Sequence, residues 1–130
     1  MKRICCFLMI SVILILLCSC SKTSVSADQD VTLTYITSDK NIQVQLTDEE
    51  AKKVISILDG NLYDPTGGVP SCGFSKDRSL KVGSRTYAIA GDACNYIQDC
   101  TALKYFTISD DEMTYIHDLF LKYNGESDWF

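Results

Sequence analysis

Alternating apolar and polar residues predict a β-hairpin between residues 31 and 46. Two short runs repeat with period two, with threonine or glutamine in most of the intervening positions, and the polar segment 38–41 separates them. The apolar positions are Val31, Leu33, Tyr35, Ile42, Val44 and Leu46. Period-two runs around a polar turn are typical of antiparallel strands. One face of this hairpin is apolar, so we expect a sheet that is covered on one side.

Two amphipathic helices are predicted, each opening with the same capping sequence. Thr47 and Glu50 form a capping box before the first, and Ser109 and Glu112 repeat it before the second. Apolar residues then recur at helical spacing: Ala51, Val54, Ile55 and Leu58, and later Met113, Ile116, Phe120 and Tyr123. The repeat is either a duplication or convergence on one capping chemistry.

Turn residues divide the middle of the chain. Residues 61–71 contain Pro65, Gly67, Gly68 and Pro70 and are predicted to form a loop, here called the Pro-Gly loop. Gly83-Ser84 suits a two-residue hairpin turn, and a further pair of strands is expected at residues 94–98 and 103–108.

These elements predict an α+β fold: a two-layer sandwich in which an antiparallel sheet of about five to six strands carries two amphipathic helices on one face. The arrangement resembles the TBP-like and β-lactamase-inhibitor-like topologies. That resemblance is architectural and implies no activity.

The N-terminus has the pattern of an export signal. Lys2 and Arg3 precede an apolar run over residues 4–18, which is shorter than the ~20 residues of a spanning helix. The run ends in Leu17-Cys18-Ser19-Cys20, which resembles the lipobox of bacterial lipoproteins. The resemblance implies cleavage before Cys20 and acyl chains on that cysteine, which anchor the protein on the outer side of the cell membrane. Residues 1–19 are therefore predicted to be the signal peptide, residues 20–30 a lipidated cysteine with a flexible tether, and residues 31–130 a single small domain.

Charge narrows the choice of partners. The full chain has a net charge of −5, and loss of Lys2 and Arg3 leaves ten basic residues against 17 acidic ones. An acidic surface argues against nucleic acid and against adhesion to anionic headgroups. The expected partners are the membrane, through the lipid on Cys20, and an envelope protein, a peptide or a cell-wall component.

Three cysteines remain for the domain: Cys72, Cys94 and Cys100. An exported domain lies where disulfides persist. The hairpin around Gly83-Ser84 places Cys72 opposite Asn95, so a bulge, or departure of the chain from strand geometry near Gly91-Asp92, would bring Cys72 to Cys94. We expect this disulfide, with Cys94–Cys100 as the alternative. Segments 71–74 and 92–94 around the first two cysteines also resemble a pattern in small uncharacterised lipoproteins of Gram-positive bacteria, a resemblance that implies no function.

Candidate catalytic chemistry is sparse. His117 is the single histidine, which excludes a multi-histidine metal site, and helix capping explains the acidic runs 48–50 and 110–112. We therefore expect no metal, no cofactor and no catalytic residue.

A noncatalytic binding module is the favoured interpretation. Its candidate binding face is either the open sheet face with Tyr35, Tyr87 and Tyr105 or the Pro-Gly loop, because tyrosine supplies contact area with a polar tip. The alternative is a small envelope hydrolase or thiol-redox enzyme that uses Asp92 and Asp99, or Cys100.

Overall fold

The structure, a computed structural model, describes residues 22–92 and 94–124. Within these ranges the chain forms six strands and two helices. The strands are β1 (Val31–Ile36), β2 (Asn41–Gln45), β3 (Phe74–Val82), β4 (Arg85–Ala90), β5 (Tyr96–Asp99) and β6 (Lys104–Thr107). The helices are α1 (Asp48–Gly60) and α2 (Asp110–Asn124). The predicted α+β class is confirmed.

The six strands form one open antiparallel sheet in the order β2-β1-β3-β4-β5-β6. The two hairpins that the sequence placed with defined turns are present, with Tyr35 opposite Ile42 and Val82 opposite Arg85. Gly83 has a φ of +56°, the left-handed backbone that glycine adopts without a Cβ clash. The predicted hairpins and strand number are confirmed.

One hydrophobic core connects the sheet with both helices. Along β1 every second side chain is buried, as the period-two pattern predicts. The apolar stripe of α1 and the apolar positions of α2 belong to the same cluster as the inward side chains of β1, β3, β4, β5 and β6. Each fully buried aliphatic or aromatic side chain contributes roughly 1.5–3 kcal/mol, so this cluster is the main stabilising element of the domain.

Both helices begin with the capping box that the sequence predicts. The Glu50 amide donates to Thr47 Oγ1 at 3.4 Å, and the Thr47 amide donates to Glu50 Oε2 at 3.0 Å. In the second box the Glu112 amide donates to Ser109 Oγ at 3.3 Å, and the Ser109 amide donates to Glu112 Oε2 at 2.8 Å. Each box satisfies two amides that a helix start leaves without partners.

A disulfide joins Cys72 to Cys94 beside an irregular part of β3. From Phe74 to Ser79 the chain advances five residues along β3, while the paired positions on β4 advance two, from Ala90 to Ala88. The register that the turn sets would place Cys72 opposite Asn95, and the register at Phe74 would place it opposite Asp92. Neither puts it opposite Cys94, so the bond forms where the chain has left β4, which ends at Ala90. Of the two pairings open from the sequence, the structure has the first.

The segment before β1 lies partly against the domain. Thr23 is fully buried; its hydroxyl donates to the carbonyl oxygens of Leu58 and Asn61, and its amide donates to the Asn61 oxygen at 3.3 Å. Lys22 forms a β-bridge with Leu62. Residues 22–25, which belong to the tether predicted for residues 20–30, therefore lie against the domain. Residue type alone does not indicate that Thr23 bonds to buried carbonyl oxygens.

The predicted signal peptide and Cys20, the predicted site of lipid attachment, lie outside the described residues. Among the residues that are described, neither helix has the length and apolar character needed to cross a membrane.

Candidate functional site

A cleft of ≈ 750 Å³ opens between the Pro-Gly loop and the β5–β6 hairpin. Its walls are residues 62–65 and 67–69 of the loop, Gln98 of β5, and residues 103–105 at the start of β6. The volume lies within the range of ~300–1,000 Å³ that small-molecule sites occupy. We call this feature the Pro-Gly cleft.

Exposed apolar side chains concentrate at this cleft. Among the described residues, four large hydrophobic side chains are exposed, and three of them line the cleft: Leu62, Val69 and Leu103, at 45%, 76% and 75% exposure. The fourth, Leu121, lies on α2. Single exposed apolar residues are ordinary, but a group on one concave surface indicates a binding site.

The Pro-Gly loop is held along the outer edge of β6. Tyr63 forms a β-bridge with Phe106, and the Asp64 amide donates to the Tyr105 oxygen at 2.7 Å. Asp64 Oδ1 accepts from both the amide and the hydroxyl of Thr66, which lowers the pKa of Asp64. These contacts give the loop a fixed start and fix one wall of the cleft.

The opposite wall ends in a strained turn. Leu103, the last residue before β6, has a φ of +54°, a left-handed conformation that is unusual for a bulky side chain. Strain of this kind persists only where the surrounding contacts enforce it, and it is often found at binding sites. The turn directs an exposed leucine to the rim of the cleft.

Asp99 holds both walls together. Its carboxylate is fully buried: Oδ1 accepts from the amides of Thr101 and Ala102 at 2.9 Å each. Its other oxygen, Oδ2, accepts the Tyr63 hydroxyl at 2.6 Å and lies 3.6 Å from Arg85 Nη2. A buried charge is tolerated only when paired and hydrogen-bonded, and Asp99 meets both conditions.

Arg85 extends this network to the N-terminal segment. Its Nη1 donates to the Ser24 oxygen at 2.6 Å, so the segment before β1, the β4 strand and the cleft share one chain of polar contacts.

Burial, and then the hydrogen bond to Asp99, raises the pKa of Tyr63. Tyr63 therefore stays a hydrogen-bond donor to Asp99 at physiological pH, and its ring lies 5.0 Å from Lys104 Nζ.

The three-tyrosine binding face predicted from the sequence is not formed. Tyr35 and Tyr87 are buried, at 6% and 0% exposure, because their strand positions face the helices and not solvent. Tyr105 is half-buried and lines the Pro-Gly cleft, where its hydroxyl accepts from Gln98 Nε2 at 3.1 Å. The prediction is therefore wrong for the open sheet face, whereas the Pro-Gly loop, its other candidate, does line a cleft.

The residues suggested for hydrolysis do not meet. Asp99 lies opposite Tyr87 and is buried, whereas Asp92 is exposed and lies beyond the other end of β4. Asp92, Cys72 and Cys94 do approach one another closely, but both sulfurs are used in the disulfide. They therefore offer no thiolate ligands to a metal ion.

Cys100 lies outside the disulfide. It is half-buried at the start of the β5–β6 turn, and its sulfur lies 3.8 Å from the Gln98 oxygen. Because Cys94 is already joined to Cys72, the alternative Cys94–Cys100 pairing is not present.

Sequence reasoning missed Tyr63, Leu62 and Leu103. The available signals were the Pro and Gly residues around Val69, which indicated a loop, and the apolar character of Leu62 and Leu103 beside predicted turns. None of these reveals that the loop folds back onto β6.

Comparison with known proteins adds nothing to this geometry: no protein-family model, curated protein or solved structure matches the chain.

Proposed function

We propose that this protein is an extracytoplasmic lipoprotein, anchored through Cys20, that binds an apolar ligand in the Pro-Gly cleft without catalysing a reaction. The observation that carries the binding role is the grouping of Leu62, Val69 and Leu103 around one cleft. The export signal and the lipobox-like sequence before Cys20 support the anchoring.

The contacts of Asp99 support a noncatalytic role. A general acid or base must reach a proton on a bound substrate, and all the contacts of Asp99 are internal ones. Both oxygens accept hydrogen bonds from the chain, and the carboxylate is fully buried. Asp99 therefore acts as a structural support beneath the cleft.

For the fold we propose the two-layer arrangement, with both helices on one face of the sheet. Contacts between the helices support it: Glu50 of α1 accepts hydrogen bonds from Lys122 and Tyr123 of α2 at 2.7 Å each. Lys53 Nζ also lies 6.0 Å from the Tyr115 ring. Neighbouring helices that share one core with the sheet leave the opposite face and the cleft open.

The binding role is tested with a fluorescent apolar probe, anilinonaphthalene sulfonate, added to the mature chain made without lipid by Cys20→Ser. We expect the folded protein to bind one equivalent of probe. Val69→Asp and Leu103→Asp each place a charge in the cleft and should weaken binding about tenfold, since ~1.4 kcal/mol of apolar contact corresponds to that factor.

Leu121→Asp is the control, because it makes the same change as Leu103→Asp at an exposed leucine that does not line the cleft. It should leave probe binding unchanged. Equal loss in all three variants, or no binding to the unmodified chain, would show that the cleft is not an apolar binding site. Far-ultraviolet circular dichroism verifies that each variant is folded.

A further inference from the structure

The N-terminal segment reaches the domain beside the Pro-Gly cleft. Thr23 donates to the Asn61 oxygen and Lys22 bridges to Leu62, so the two segments run antiparallel. Followed backwards, from Thr23 to Lys22, the chain moves from Asn61 towards Leu62, and Leu62 lines the cleft. The end of the segment that leads to Cys20 is therefore the end nearest the cleft.

Very little chain separates this contact from the proposed lipid. Cys20 is two residues before Lys22 in the sequence. Two residues span at most about 7 Å, because an extended chain advances ~3.3–3.6 Å per residue. An acylated Cys20 has its acyl chains in the membrane, so Lys22 and Leu62 must lie close to the membrane surface.

The contacts of the N-terminal segment with the domain limit how far the domain can move away from the membrane. Thr23 is buried and bonded to the end of α1, Val25 donates its amide to Asp59 Oδ1 at 3.2 Å, and Ser24 accepts from Arg85. A free ten-residue coil would let the domain rotate at ~15–20 Å from the membrane. A segment that is fixed to the domain from Thr23 onwards does not allow this rotation.

We propose that the rim of the Pro-Gly cleft, Leu62, Val69 and Leu103, rests in the interface of the membrane that holds the Cys20 lipid, so that the cleft opens towards the acyl chains. The occupant is the acyl-chain layer of that membrane. This inference rests on the proposed anchoring and deepens the proposed binding role, since the ligand is then the apolar chain of a membrane amphiphile.

The charges around the rim fit this orientation. Lys22 and Lys104 are both exposed, and lysine keeps its ammonium group at the headgroup level while its stem contacts apolar surface. Asp64, the acidic residue that lines the cleft, accepts hydrogen bonds from the amide and the hydroxyl of Thr66. Because the mature chain is acidic overall, attraction to anionic lipid does not drive the contact, which should be insensitive to salt.

The test measures the depth of single tryptophans in the membrane. Trp129 is first replaced by phenylalanine, because it is the single tryptophan of the chain. Leu103→Trp and, as a second rim position, Val69→Trp are then compared with Leu121→Trp. The full lipidated proteins are reconstituted into phosphatidylcholine vesicles whose acyl chains carry bromine, a short-range quencher, and into unbrominated vesicles.

We expect both rim tryptophans to lose most of their emission in brominated vesicles, at low and at high salt, while Leu121→Trp keeps its emission. Flotation of the vesicles is measured in the same samples. Protein that floats but shows equal emission at all three positions overturns the orientation and leaves the anchoring intact. Protein that does not float overturns the anchoring, and the orientation with it.

Discussion

Glu50 serves two elements through one carboxylate. It closes the capping box of α1 with Thr47, and it accepts hydrogen bonds from Lys122 and Tyr123 near the end of α2. Burial alone would raise the pKa of Glu50, but the hydrogen bonds from Lys122, Tyr123 and Thr47 outweigh it and lower the pKa to about 2. The folded protein therefore stabilises the ionised form of Glu50 relative to the protonated form.

This shift predicts a stability loss in acid. The pKa of Glu50 is lower in the folded chain than its ordinary value of 4.5, so its contribution is complete above that value and is lost as pH falls towards 2. Because Lys122 is well exposed and solvent screens the pair, we expect a contribution of about 1 kcal/mol. The measurement is the free energy of unfolding by urea at a series of pH values.

Glu50→Gln should flatten that part of the pH profile, since glutamine does not titrate. Glu49→Gln is the control, because it is also in the first turn of α1. If Glu49→Gln flattens the profile as much as Glu50→Gln, the contacts to Lys122 and Tyr123 are not its cause.

At the scale of elements, the disulfide fixes the irregular end of β3. Cys72 lies just before the strand, and Cys94 lies in the connection from β4 to β5. The Pro-Gly loop ends at the same place, so the bond also fixes the far end of that loop. The loop thus has two attachment points: Tyr63 and Asp64 on β6, and Cys72 at the start of β3.

Removal of this bond should destabilise the domain. The cysteines are 22 residues apart, and closing a loop of that size contributes about 3 kcal/mol in the chain-entropy account. We expect Cys72→Ser with Cys94→Ser to lower the free energy of unfolding by that amount, measured by urea denaturation at neutral pH. Cys100→Ser should change it by less than about 0.5 kcal/mol; a larger effect of Cys100→Ser would point to a role for that thiol.

Hairpins and helix caps could be predicted because their determinants are local. Thr47 and Glu50 are three residues apart, and Gly83 adopts its left-handed backbone inside the turn that it makes. The Pro-Gly cleft could not, since it depends on a bridge from Tyr63 to Phe106, 43 residues later. The contacts of Asp99 could not be predicted for the same reason: its partner Tyr63 is 36 residues away, and residue type alone does not indicate burial.

At the scale of the whole molecule, the proposed anchor and the proposed ligand site are connected by one short segment. Residues 22–25 lie between the proposed lipid and the network of Arg85 and Asp99. Through Arg85 the segment is connected to Asp99, which lies beneath the cleft. The position of the proposed anchor would therefore limit where the proposed ligand site can lie.

Replacement of Cys20 tests the proposed anchoring directly. When the full chain is expressed in a bacterium that processes lipoproteins, we expect the protein in the membrane fraction, with a mass increased by the acyl groups. Cys20→Ser should remove both the added mass and the membrane association, because two or more acyl chains supply the binding energy. Cys100→Ser is the control and should stay in the membrane fraction; release of that variant as well would show that the effect is not specific to Cys20.

The two edges of the sheet have different consequences for self-association. The outer side of β6 is already occupied by Tyr63 and Asp64, whereas β2 is the other edge and carries exposed Asn41, Gln43 and Gln45. Strand addition needs an edge with unpaired backbone groups on each partner. Within residues 22–92 and 94–124, the β6 edge is covered at Tyr105 and Phe106, whereas no such bridge covers the outer side of β2. Pairing between two copies is therefore expected through β2, edge to edge, which would join the two sheets into one.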